Sequence, residues 1–239
     1  MPIKAVLFDM FDTIMMIRRN NDFYSPALMR MYRFLNQKGI DVSFETFEKV
    51  YIKTRDELYA KVDASLGEPH FNVRVYETLK SLEYDYEVSS SLVTEATDEF
   101  CDEFMTFVYL DQDAKTVLEA LHEKYQLGII SNFAIPECID KLLETHGLDE
   151  FLDVVVVSAA VNKRKPSKEI FENALKALSV SAEETVFVGD TLDADIEGAK
   201  GAGMRAVYIE RRIQNESGHF KPDKTIKRLS ELTSMLEEF

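Results

Sequence analysis

The stretch Ala5-Val6-Leu7-Phe8-Asp9-Met10-Phe11-Asp12-Thr13 decides how the rest of the chain reads. Four apolar residues form a strand-like run that stops on Asp9, and a second acid, Asp12, follows three residues later. A carboxylate at the end of a buried strand is costly unless it is paired or has chemistry to perform. Phe11 stands between the two acids, where a third could have been placed.

Working outward, the chain has two textures. From about residue 111 onward, short apolar runs alternate with amphipathic stretches. The runs are Leu127-Gly128-Ile129-Ile130, Val154-Val155-Val156-Val157, Val186-Phe187-Val188 and Ala206-Val207-Tyr208-Ile209. Unbroken β-branched runs of this kind read as strands covered on both faces, which is the pattern of a parallel sheet. The stretches near 114–125, 136–146, 167–178 and 193–202 read as helices, with Gly147 and Gly203 placed to end two of them in left-handed caps. Alternating strands and helices imply right-handed crossovers and a doubly wound α/β sheet.

Residues 18–106 contain no comparable runs. Leu28, Met31, Tyr32 and Leu35 recur at helical spacing, as do Phe44, Phe47, Val50 and Tyr51, and further along Val73, Tyr76, Leu79 and Leu82. These stripes read as a helical core. The expected organisation is a Rossmann-like core of residues 1–15 and 107–239, with a helical cap of residues 16–106 inserted after the first strand.

Composition narrows the function. The 239 residues are 46% hydrophobic and 30% charged, an ordinary soluble balance, and carry a net charge of −15. So acidic a surface argues against nucleic acid as a partner, and an anionic small-molecule substrate would need local cations or a metal. The two cysteines, Cys101 and Cys138, read as packing residues in a reducing compartment. The apolar stretch Ile14-Met15-Met16-Ile17 stops at Arg18-Arg19, too short for a membrane span or a secretory signal. The expected location is the cytoplasm.

In an open parallel sheet, ligands bind beyond the carboxyl ends of the strands. The residues closing the runs are Asp9, then Ser131-Asn132, then Gly189-Asp190, with Asp195 five residues further and Lys165-Pro166 on an intervening crossover. Asp9-Met10-Phe11-Asp12-Thr13, Ile130-Ser131-Asn132, Lys163-Arg164-Lys165-Pro166 and Gly189-Asp190-Thr191-Leu192-Asp193-Ala194-Asp195 occur in the order found in the haloacid dehalogenase-like hydrolase superfamily. The chain resembles the branch of that superfamily whose helical cap lies between the first two motifs.

The residue chemistry suits that resemblance. Asp9 could attack phosphorus or a halogen-bearing carbon and form a covalent intermediate. Thr13 and Ser131 could donate hydroxyl hydrogen bonds to an anion, and Lys165 could offset charge on Asp9 and on a bound phosphoryl group. Arg164 is the alternative cation; Pro166, read as the first residue of a helix, favours Lys165. The resemblance implies a substrate-binding set of Phe11, Thr13, Ser131, Asn132 and Lys165. It also implies Mg²⁺ held by Asp9, the Phe11 carbonyl, Asp190 and Asp195, hard oxygen ligands appropriate to that ion. Asp193 reads as a helix-start acid.

Phosphatases of the superfamily usually carry a second aspartate two residues after the nucleophile, which protonates the leaving group and then activates water. Here that position is Phe11, which cannot transfer a proton, and Asp12 is displaced by one residue. The leading expectation is therefore a Mg²⁺-dependent phosphohydrolase favouring good leaving groups. The alternatives are a metal-independent 2-haloacid dehalogenase, with Arg30 or Arg33 holding the substrate carboxylate, and an anion-binding protein without turnover.

Overall fold

The computed structural model describes residues 2–18, 23–211 and 220–239; Arg19, of the basic pair after Ile17, lies outside them. Strand β1 (Ala5–Phe8) occupies the middle of a six-stranded parallel sheet. It is flanked on one side by β4 (Gln126–Ser131) and then β5 (Val154–Val157). On the other side lie β6 (Thr185–Gly189), β7 (Arg205–Ile209) and β8 (Lys224–Ile226). Phe8 pairs in register with Ile129 of β4 and Val188 of β6.

The apolar runs are unbroken because the sheet is covered on both sides. Val6, Phe8, Leu127, Ile129, Val186 and Val188 face one core, with α5 (Ala114–His122), α6 (Pro136–His146) and α10 (Leu232–Met235). Ala5, Leu7, Ile130 and Phe187 face the other, with α8 (Lys168–Leu178) and α9 (Glu197–Gly201). The short α7 (Ser158–Val161) follows β5. The doubly wound fold expected from the sequence is the one observed.

Local chemistry explains several boundaries. Helix α6 starts on Pro136, whose missing N–H is no loss in a first turn, and ends at Gly147 with φ +58°. Gly203 is likewise left-handed, with φ +90°. The helix expected at 193–202 is in two parts, a π-helical turn at Leu192–Ile196 and then α9. Pro166 is not the first residue of α8. It lies in the preceding turn, after a cis Lys165–Pro166 peptide bond, and Ser167 is the residue at the helix start.

Between β1 and α5 the described residues form β2 (Met15–Ile17), four α-helices and β3 (Val108–Leu110). The helices are α1 (Tyr24–Gln37), α2 (Phe44–Val62), α3 (Phe71–Ser81) and α4 (Ser91–Met105). Leu28, Met31 and Leu35 of α1 are buried, as are Phe47 and Tyr51 of α2. The third stripe is displaced: α3 buries Phe71, Val75, Thr78 and Leu79, while Val73 and Tyr76 are half-buried. A buried arginine, Arg74, shifts that face, because three tyrosine hydroxyls, of Tyr24, Tyr51 and Tyr59, accept hydrogen bonds from it.

Strands β2 and β3 pair antiparallel, Ile17 opposite Val108, and Arg18 N–H donates to Phe107 O at 2.9 Å. Cys101 on α4 and Cys138 on α6 are both buried and reduced, with the thiol–thiol hydrogen bond to Cys101 and then burial raising the Cys138 thiol. No helix of the described residues is long and apolar enough to cross a membrane.

Candidate active site

The sheet order brings the expected residues to one rim. Asp9 follows the central strand, and its N–H donates to Val188 O of β6 at 2.8 Å. Ser131 ends β4 and Asp190 follows β6, the two strands that flank β1. Neighbouring strands are about 4.8 Å apart, so residues leaving them at the same level must meet. One carboxylate oxygen each of Asp9, Asp190 and Asp195 lies within 4.8 Å of the others, and all three residues are buried.

Asp195 reaches the cluster from the π-helical turn, where its Oδ2 accepts from Thr191 N–H at 2.9 Å. Gly189 makes room for it. A Cβ on Gly189 would stand 2.5 Å from the Asp195 carboxylate carbon, a separation no side chain tolerates. The glycine before Asp190 was visible in the motif, but its role in admitting Asp195 was not.

Lys165 supplies the cation. Its Nζ donates to Asp9 Oδ1 at 2.5 Å and to Ile130 O at 2.8 Å, and lies 2.8 Å from Asp195 Oδ1. Asn132, expected among the substrate-binding residues, spends its amide on the Lys165 backbone. Its Oδ1 accepts from Lys165 N–H at 2.7 Å and its Nδ2 donates to Lys165 O at 3.0 Å. Arg164, the alternative cation, turns away from Asp9 toward residues 63–67.

Among the described residues, three buried carboxylates meet one ammonium at this point, which leaves an excess of negative charge. Burial pushes the Asp9 carboxyl up to about 7, with Asp195 and Asp190 adding to the shift and Lys165 opposing it. Burial would lower the Lys165 ammonium, but the Asp195 and Asp9 carboxylates outweigh it and hold the group above its ordinary value. A compact set of hard oxygen donors with surplus negative charge fits a divalent cation such as Mg²⁺.

Two hydroxyls, one on the loop that follows Asp9 and one at the end of β4, are without work. Thr13 Oγ1 and Ser131 Oγ are buried and have no hydrogen-bond partner among the described residues. Buried hydroxyls are nearly always satisfied, so two left unpaired on the segments that carry Asp9 and the Ile130 carbonyl fit an incoming anion.

Phe11 offers no proton but is well packed. Its ring lies 5.1 Å from that of Phe133 and 5.5 Å from that of Phe104, joining the loop after β4 to helix α4. Asp12 is buried with a left-handed φ of +58°, rather than extended. Its N–H donates to Met15 O at 2.5 Å and its Oδ1 accepts a long 3.5 Å bond from Ile17 N–H, which ties it to β2. Asp193 is exposed, and its Oδ1 accepts from Ala194 N–H at 2.9 Å.

The two arginines considered for a substrate carboxylate are placed otherwise. Arg30 Nε donates to Glu99 at 2.6 Å, with Asp102 and Glu103 also close, and Arg33 is exposed.

The glyceraldehyde 3-phosphate phosphatase of Methanopyrus kandleri is 28% identical over 241 residues, covering 99% of this chain and 98% of that protein. The protein of the same name from Pyrococcus abyssi is 31% identical over 221 residues, 87% of this chain and 82% of its own length. The crystal structure of a 2-haloacid dehalogenase from Pseudomonas syringae pv. tomato superposes with a TM-score of 0.77 over 99% of both chains, at 23% identity, a likeness of fold. The haloacid dehalogenase-like hydrolase family model matches residues 3–203, with Asp9, Lys165, Asp190 and Asp195 all inside the match, and the chain belongs to that family.

Proposed function

We propose that the protein is a phosphohydrolase of small phosphorylated metabolites that uses Asp9 as its nucleophile. The observation that carries the reading is the meeting of Asp9, Lys165, Asp190 and Asp195 at one buried point, with unpaired buried hydroxyls on Thr13, in the loop that follows Asp9, and on Ser131, next to the Ile130 carbonyl that accepts from Lys165. The phosphatase names of the full-length relatives support it. In this reading residues 1–15 and 107–239 form the catalytic core and residues 16–106 the cap. Two buried, unpaired cysteines suit a cytoplasmic setting.

The chemistry follows from the groups present. An Asp9 oxygen forms a bond to phosphorus as the phosphorus–oxygen ester bond breaks, and the leaving oxygen departs as an anion that takes its proton from solvent water. Water then attacks the aspartyl phosphate, returning the carboxylate and releasing phosphate. Thr13 and Ser131 donate to the phosphoryl oxygens, while Lys165 offsets their charge and holds Asp9 in line. Mg²⁺, held by Asp9, Asp190, Asp195 and the Phe11 carbonyl, would supply the positive charge that lets a carboxylate approach a phosphate.

The test is phosphate release from an aryl phosphate and from glyceraldehyde 3-phosphate, each with Mg²⁺ and with excess chelator. Chelation is expected to lower the rate by at least about 10²-fold. Full activity with chelator would refute the metal assignment, and chloride release from 2-chloropropionate without metal would replace the phosphohydrolase by a dehalogenase.

Phe11 sets a second expectation. With no proton donor at that position, aryl and acyl phosphates should turn over faster than alkyl phosphates, and general acid–base catalysis is worth roughly 10²–10⁴-fold. Equal rates would show that another group protonates the leaving oxygen. Phe11→Asp is expected to narrow the gap by raising the alkyl rate. It should also lower the melting temperature, because a carboxylate would replace a ring packed between Phe104 and Phe133.

A further inference from the structure

Lys165 has a long, flexible side chain, yet its ammonium meets three oxygens from three separate elements. Such placement requires a fixed backbone beneath it. On one side the Asn132 amide grips the Lys165 N–H and C=O. On the other side, the three preceding residues are bound to the loop between α2 and α3, almost a hundred residues away in sequence. Arg164 N–H donates to Leu66 O at 2.8 Å, and its guanidinium donates to Gly67 O at 2.8 Å and to the Asp63 carboxylate. The same guanidinium lies 5.6 Å from the Tyr59 ring centre. Lys163 Nζ donates to Ser65 O at 3.1 Å, and Glu68 N–H donates to Asn162 Oδ1 at 3.1 Å.

We propose that Arg164 is a positioning residue for catalysis: by gripping the 63–67 loop it fixes the backbone from which Lys165 reaches Asp9. The inference rests on the reading of Lys165 as the cation that serves Asp9. Arg164 itself faces away from the carboxylates and acts through its neighbour. The contact needs an arginine, since only the planar fork addresses a carbonyl and a carboxylate at once. It also makes the helical segment a part of the catalytic apparatus, because Lys165 is held correctly only when the 63–67 loop is docked.

The test is a double-mutant cycle in the full chain, with an aryl phosphate and Mg²⁺, joined to hydrogen exchange. Arg164→Ala is expected to lower kcat by roughly tenfold or more with KM within about twofold, because small misplacements of a catalytic group cost rate rather than binding. In a Lys165→Ala background the same change should cost less than about twofold, since the residue it positions is gone. Arg164→Lys should fall between Arg164→Ala and the wild type. Amides of Arg164, Lys165 and Ser167 should exchange faster in Arg164→Ala, while those of β1, β4 and β6 remain as in the wild type.

Losses that multiply across the two backgrounds, or a change confined to KM, would make Arg164 a plain structural tether and overturn the proposal. Unchanged exchange at residues 164–167 would do the same. If the wild type releases phosphate from no substrate, the phosphohydrolase reading fails on its own, and the exchange measurement still decides whether Arg164 holds the Lys165 segment.

Discussion

Asp9→Asn is expected to abolish turnover, by about 10⁴-fold or more, and at the same time to stabilise the metal-free protein. The first effect follows from losing the attacking oxygen, for which no other group in the cluster has the right position. The second follows from charge. The Asp9 carboxyl is raised from 3.8 to about 7 by burial and by Asp195 and Asp190, so the folded state holds its proton more tightly than the unfolded state. Ionised Asp9 therefore costs stability, and that cost grows as pH rises from about 4 to about 7 and is complete above that. An asparagine escapes it, while Lys165 keeps Asp195 as its partner. Thermal melts without metal should show Asp9→Asn above the wild type at pH 8 and level with it at pH 4. A variant less stable than the wild type at pH 8 would contradict the electrostatic account, and residual turnover near the wild-type rate would remove Asp9 from the chemistry.

Lys165→Ala should move stability the other way. Lys165 is the ammonium that meets both the Asp9 and Asp195 carboxylates. Removing it leaves these buried charges without their cation, a loss worth about 3–5 kcal/mol in comparable buried pairs. Chemical denaturation without metal measures this directly. Added Mg²⁺ should recover part of the loss, since a ligand that binds the folded chain raises its stability. The rate should fall by about 10²–10³-fold from the loss of a preorganised charge. A metal-free destabilisation below about 1 kcal/mol would mean that the carboxylates are already neutralised by other means. The two substitutions share one ion pair, yet are expected to shift the melting curve in opposite directions, because acids outnumber the cation in the cluster.

The parts legible in the sequence were those with a local signal. The runs at 127–130, 154–157, 186–188 and 206–209 are strands of the sheet because cover on both faces demands continuous apolar residues, with only Val154 and Val155 of the edge strand partly buried. Once the strands were placed, the rim residues followed, and the structure gathers Asp9, Ser131, Lys165, Asp190 and Asp195 as the topology requires. Strands β2, β3 and β8 were invisible because three residues carry no period. The buried face of α3 was misread because a hydrogen-bonded arginine stands inside it.

The contacts of Asn132 and Arg164 were illegible for a different reason. Asn132 meets the Lys165 backbone 33 residues away, and Arg164 meets Gly67 and Asp63 at separations of 97 and 101. Neither contact leaves a trace in local spacing. Pro166 was assigned to the helix start by a sound preference, but the turn placed it two residues before the helix.

The β2–β3 pair has a consequence for engineering. The chain leaves the sheet side of the molecule along Met15–Ile17 and returns along Val108–Leu110, with Arg18 N–H bonded directly to Phe107 O. Everything between enters and leaves through one doorway two strands wide. A foreign segment with ends equally close could be spliced there without altering the register of the six parallel strands. Such a graft would need an aromatic to meet Phe11 in place of Phe104 and a loop for Arg164 to grasp. With those contacts and the smaller ones around them supplied, such as Phe71 N–H to Ala134 O, the inserted segment could be exchanged as a cassette while the carboxylate cluster stayed untouched.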